Sequence, residues 1–184
     1  MSPYEEGDTI LFRSGEDIDT MIVELKKNND THCPIVENEN FDYSFSAIGE
    51  LKANVYHNEV SQFLELRIVK YGSDNLHVVC EFAERKGLFV TKRRYVEPNY
   101  YVMLTFYRAN VNDVLYEDLI ILDDRNSEIY NSSNPDTYYV DYFYWSKSKG
   151  LVKYKYKDTD SDKGGTYTFY KKLKAAPKRK GWFW

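Results

Sequence analysis

Residues 61–82 read SQFLELRIVKYGSDNLHVVCEF, and their spacing decides the fold. Leu64, Leu66 and Ile68 recur at every second position in the first half, and Leu76, Val78, Cys80 and Phe82 do the same in the second. YGSDN between them supplies turn residues. Two runs of period two around such a turn make an antiparallel β-hairpin, with one apolar and one polar face on each strand.

The same grammar extends in both directions. Toward the C-terminus, ERKG reads as a turn into LFVTKRRYV, which Pro98 and Asn99 end. Tyr100 to Arg108 and Val114 to Leu122 form a second pair around ANVND, and DDRNSEIYNSSNPD is a long polar loop. Toward the N-terminus, Thr9 to Arg13 opens a strand and Ser14 to Asp17 turns it. IDTMIVELKK fits a helix through Ile18, Met21, Ile22 and Leu25, or a strand through Met21, Val23 and Leu25; the surrounding strands favour the strand. Asn28 to Asn40 reads as a loop, and Phe41 to Tyr56 as one or two strands broken at Gly49.

Near the C-terminus, DYFYWSKSKGLVKYKYKD (141–158) holds two more strands around SKSKG. Strict alternation puts Val140, Tyr142 and Tyr144 on one side and Asp141, Phe143 and Trp145 on the other, so this strand is apolar on both faces and is central or covered. Val152, Tyr154 and Tyr156 face away from Lys153, Lys155 and Lys157, a lysine row of the kind that keeps a sheet soluble. Thr166 to Tyr170 returns beside them. About ten short strands and little helix predict an all-β fold, a single antiparallel barrel or sandwich over residues 1–174, with residues 175–184 a poorly ordered basic and aromatic tail.

Composition agrees. The chain has 184 residues, enough for one core, and its 18 tyrosines and 10 phenylalanines suit pleated surfaces. No apolar run approaches the ~20 residues of a membrane helix, and MSPYEEGDTILF lacks the pattern of a signal peptide. The net charge of −4 hides an asymmetry: residues 1–60 sum to −9 and residues 147–184 to +9. Mutual neutralisation explains this more simply than an anionic partner, and no nucleic acid is expected because the overall balance is not basic.

Sites of chemistry are sparse. The sequence contains no GxSxG, HExxH or phosphate-binding glycine loop, and His32, His57 and His77 are scattered singly. DTDSDKGG alternates aspartates like a calcium loop, but Lys163 stands where the loop needs glycine and Phe169 where it needs glutamate. No metal, no cofactor and no catalysis are expected. Cys33 and Cys80 do not form a CxxC pair. Cys80 inside HVVCEF reads as a buried thiol, with a Cys33–Cys80 disulfide the open alternative, worth about 4 kcal/mol in the chain-entropy model. Tyr142, Tyr144 and Trp145 are the candidates for ligand contact.

YEEGDTILFRSGEDIDTMIV at one end and YWSKSKGLVKYKY near the other resemble small uncharacterised lipoproteins exported by Bacteroidetes. The resemblance implies a secreted or surface-anchored β-domain with no active site to carry over. It also adds weight to the disulfide. This sequence lacks a lipid-bearing cysteine near Met1, so anchoring in a membrane would need one upstream. The expected function is non-catalytic binding of an envelope protein, glycan or other extracellular ligand; the alternative is a lipocalin-like carrier of a small apolar molecule.

Overall fold

The computed structural model describes residues 3–27, 31–33, 45–57, 60–71, 75–91, 102–129, 139–157 and 165–173. Their regular elements are all strands: β1 (Thr9–Ser14), β2 (Asp17–Lys27), β3 (Thr31–Cys33), β4 (Phe45–His57), β5 (Val60–Tyr71), β6 (Asn75–Phe82), β7 (Arg85–Val90), β8 (Val102–Met103), β9 (Tyr107–Val111), β10 (Val114–Leu122), β11 (Glu128–Ile129), β12 (Tyr139–Ser146), β13 (Gly150–Lys157) and β14 (Thr166–Leu173). The tail 175–184 and the DTDSDKGG aspartates lie outside the described residues.

The fourteen strands form one sheet in the order β11-β7-β6-β5-β4-β2-β1-β14-β13-β12-β10-β9, with β3 branching onto β4 and β8 onto β7. Among the described residues only the β7–β8 ladder is parallel. The all-β expectation holds. Among the described residues the strand path is one sheet of fourteen strands, where about ten were expected, and its ends do not pair, so it is not closed into a barrel. β3 and β11 account for part of the difference, because a two- or three-residue strand in a polar stretch joins a ladder through backbone groups that composition does not reveal.

The defining hairpin forms as its spacing requires, pairing Leu64 with Phe82, Leu66 with Cys80 and Ile68 with Val78. IDTMIVELKK is strand β2, with Asp19, Met21 and Val23 inward and Ile18 and Ile22 outward. Phe41 to Tyr56 contains one long strand, β4; Gly49 adjoins a bulge between Ala47 and Gly49, where a break was expected. A second bulge corrects β12: Val140 pairs with Tyr156 and Tyr142 with Lys155, leaving Asp141 as the extra residue. The bulge resets the alternation, so Val140 faces the core together with Phe143 and Trp145, and Tyr142 and Tyr144 face outward.

The sheet curls until β12 returns to β6 and β7, and the seam between the two arms is made by few groups. Val140 N–H donates to Ala83 O at 3.1 Å, and Arg85 Nε donates to Val140 O at 2.7 Å. The guanidinium thus takes the place of a ladder partner. It is only 1% exposed, and its Nη1 also donates to Ser127 Oγ at 2.8 Å. Burial lowers the Arg85 pKa, while Asp141, Asp124 and Asp123 nearby act to keep it charged. Gly87 completes the seam: a Cβ there would stand 2.6 Å from Leu122 of the opposite arm.

Two turns show how local chemistry serves this curl. Ala83 and Glu84 both have positive φ, so β6 and β7 join through a two-residue turn of primed type with no glycine. The expected turn at ERKG lies too far along, because Gly87 is the only glycine in that stretch and is used for close approach within the strand. At the β12–β13 turn, Gly150 has φ +85°, and a Cβ on it would sit 2.3 Å from the Tyr4 ring. Tyr4 caps this end of the core, edge-on to Trp145, with its hydroxyl donating to Leu151 O at 3.3 Å.

Three stability changes follow, each measurable by denaturant unfolding. Gly150→Ala is expected to destabilise by about 2 to 4 kcal/mol through strain and overpacking. Glu84→Gly is expected to stabilise by about 1 kcal/mol by relieving left-handed backbone. Arg85→Ala should cost roughly 3 kcal/mol or more, since it leaves the Val140 and Ser127 groups without their buried donor.

Candidate functional site

Inside the curl, Phe12, Phe82, Phe143, Tyr154, Tyr156 and Tyr167 pack edge to face, with Tyr154 and Tyr167 stacked at 5.4 Å. Alternation on β13 makes this possible, because each tyrosine of KYKYK points in while each lysine points out. The cluster surrounds one acid. Asp19 of β2 is 2% exposed and accepts from Tyr154 OH at 2.7 Å and His57 Nδ1 at 2.9 Å. His57, at the end of β4, lies 4.4 Å from the Tyr156 ring. A convergence of acid and histidine was not legible in the sequence, because residues 19, 57 and 154 meet only through the β2–β4 ladder and the curl.

Chemically, the carboxylate orients the imidazole as in a base–orienter pair. The pair faces packed rings, with His57 7% exposed and its ring against Tyr156 and Tyr167. The phenols respond to the same burial. Tyr154 is held well above the ordinary phenol range by burial first, then by Tyr156 and Asp19. Tyr156 is raised likewise by burial and Asp19, and Tyr167 is pushed up to about 12.

The residues singled out from sequence separate. Trp145 is 2% exposed and belongs to the core against Tyr4, so it is not available for contact. Tyr142 and Tyr144 lie half-buried on the outer face, their rings 5.5 Å apart. Lys153 Nζ stands 5.6 and 5.4 Å from the two rings, and Lys155 pairs with Asp141 at 3.6 Å. This outer face is therefore an internally matched set of rings and charges. Cys80 is a buried free thiol in the core cluster, and burial pushes its pKa up strongly. The Cys33 side chain, and with it the proposed bridge, lies outside the described residues.

A concave site appears elsewhere. The tip of the β9–β10 hairpin bends over β13 to reach β14, where Asn112 Nδ2 donates to Thr168 Oγ1 at 2.6 Å. Beneath it is a cleft of about 510 Å³. Val152 and Phe169 line it from β13 and β14, Val111, Val114 and Tyr116 from the hairpin, and Pro3 and Tyr4 from the N-terminal segment. Ser148, Lys149, Asn112 and Lys172 add polar groups.

Hydrogen bonds fix these walls. Asp118 accepts from Ser146 Oγ at 2.7 Å and from Ser148 N at 2.8 Å, binding the β12–β13 turn to β10. Burial alone would raise the Asp118 carboxyl, but those bonds outweigh it and hold the pKa low. On the opposite wall Lys172 Nζ pairs with Asp8 at 2.5 Å and donates to Pro3 O at 3.0 Å. The acidic N-terminal part and the basic C-terminal part of the chain thus meet here. Glycine-free turn chemistry supplies the hairpin itself, since Asn112 and Asp113 both tolerate positive φ.

Comparison with protein-family models, with curated proteins and with solved structures finds no match to this chain. The class that the fold defines is a curled, open all-β sheet with a buried aromatic core and a surface cleft.

The raised phenols set a pH dependence. In the unfolded chain tyrosines ionise near about pH 10, so the stability their burial confers is present below that value and is lost as pH climbs toward the folded pKa values. In an alkaline titration followed by phenolate absorbance, exposed tyrosines are expected to ionise first. Tyr154 and Tyr156 should ionise only together with loss of near-ultraviolet circular dichroism.

Proposed function

We propose that this protein is a non-catalytic, exported binding domain that holds a small extracellular ligand in the cleft beneath the β9–β10 hairpin. The observation that carries this reading is the cleft itself. Its volume of about 510 Å³ falls within the range of small-molecule sites, and it joins apolar walls to a few fixed polar groups. Tyr116 and Phe169 offer ring surfaces, and Ser148, Asn112 and Lys149 offer hydrogen bonds; a sugar ring of a glycan combines both needs.

The rings that fill the curl support a ligand held on the surface rather than carried within. The sealed position of Asp19 and His57 supports a role in packing rather than turnover. Export rests on the resemblance of both ends to exported Bacteroidetes proteins, and fractionation of cells expressing the native gene tests it.

Binding is tested by glycan arrays followed by calorimetry on any hit. Tyr116→Ala and Lys149→Ala are expected to weaken binding by about tenfold or more each with little change in melting temperature. Arrays that return nothing, or hits that bind both variants as well as the wild type, would reject the cleft as the site.

A further inference from the structure

We propose that β9 is the seat of a symmetric dimer, formed when it pairs antiparallel with β9 of a second copy about a two-fold axis through Ala109. This goes beyond the ligand reading and does not depend on it.

β9 ends the strand path, with β10 its only partner among the described residues. The turn at Asn112–Asp113 makes Val111 and Val114 the closing pair of the hairpin, a hydrogen-bonded pair. Alternation then aims the N–H and C=O groups of Arg108 and Asn110 away from β10, where no strand pairs with them among the described residues. Sheet edges of soluble proteins are commonly guarded by lysine, proline or a bulge. β9 carries neither lysine nor proline, and the register shift in this hairpin falls between Tyr116 and Leu119 of β10. Instead, Phe106 is 47% exposed and Tyr107 43% exposed beside it.

A second copy fits this edge better than an arbitrary strand because β9 is complementary to itself. With Ala109 on the axis, Arg108 stands opposite Asn110 of the second copy, and both outward peptide pairs are used. Tyr107 stands opposite Val111, an apolar pair of the kind that stabilises cross-strand neighbours. The axis itself falls at a close, non-hydrogen-bonded position, where alanine fits. No like charges meet, since Arg108 faces an amide and is already paired with Glu117 of its own hairpin. Among the described residues, the far end of the sheet is the two-residue β11, a shorter edge than β9.

Analytical ultracentrifugation of the wild type is expected to show a concentration-dependent dimer. Asn110→Pro removes an outward donor without removing a bond within the hairpin, and should weaken the dimer by about tenfold or more at unchanged melting temperature. In a Cys33→Ser background, Ala109→Cys should form a disulfide-linked dimer under mild oxidation, while Leu115→Cys, at a more exposed position of the same hairpin, should not. A wild type that stays monomeric at every concentration, or an Ala109→Cys variant that crosslinks no faster than Leu115→Cys, overturns the proposal. The crosslinking result decides the matter even if the proline variant fails to fold.

Discussion

The backbone N–H and C=O of Val140 tie the two arms of this open sheet together. A sheet of this many strands must curl or leave a wide apolar face in water, and the curl is useful only if its arms are held together. Here they meet without a ladder: a turn carbonyl takes the Val140 N–H and a buried guanidinium takes its C=O. The arrangement uses arginine for what lysine could not do, because one rigid fork reaches both Val140 and Ser127. It also explains features that look unfavourable alone. Ala83 and Glu84 adopt left-handed backbone because the tight turn puts the Ala83 carbonyl against β12, and Gly87 gives up a side chain so that Leu122 can approach.

Once the arms are held, large rings fill the space between them. Edge-to-face packing of phenylalanine and tyrosine fills volume that aliphatic residues from one curved sheet would reach poorly. The hydroxyls need partners in that setting, and Asp19 with His57 supplies them for Tyr154. A buried carboxylate is therefore a consequence of building a core from tyrosine. It ties β13 across the curl to β2 and β4, which their own ladder already joins.

Much of this was legible from residue order. Period two in SQFLELRIVKY and LHVVCEF gave both strands and their facing residues, and KYKYK gave the inward tyrosines and outward lysines. The departures have definite causes. Bulges at Asp141 and beside Gly49 add one residue without changing composition, so Val140 shares the core face of Phe143 and Trp145, where strict alternation puts it with Tyr142 and Tyr144. The turn at Ala83–Glu84 carries no glycine or asparagine, and so gives no local signal. The cleft and the Asp19 cluster could not be read at all, since each depends on strands brought together by the sheet rather than by the chain.

The order of strands also bears on how the molecule comes into being. β1 lies between β2 and β14, so Thr9 ends opposite Leu173, and the middle of the sheet joins its earliest strand to its latest. The hairpin of β5 and β6 can form early, yet β1 has one empty flank until β14 docks beside it. Such topology has a high contact order and folds slowly. Until β14 docks, Ile10 and Phe12 lie on a strand with one unpaired edge, and the central ladder of the sheet is the one whose partners lie farthest apart along the chain.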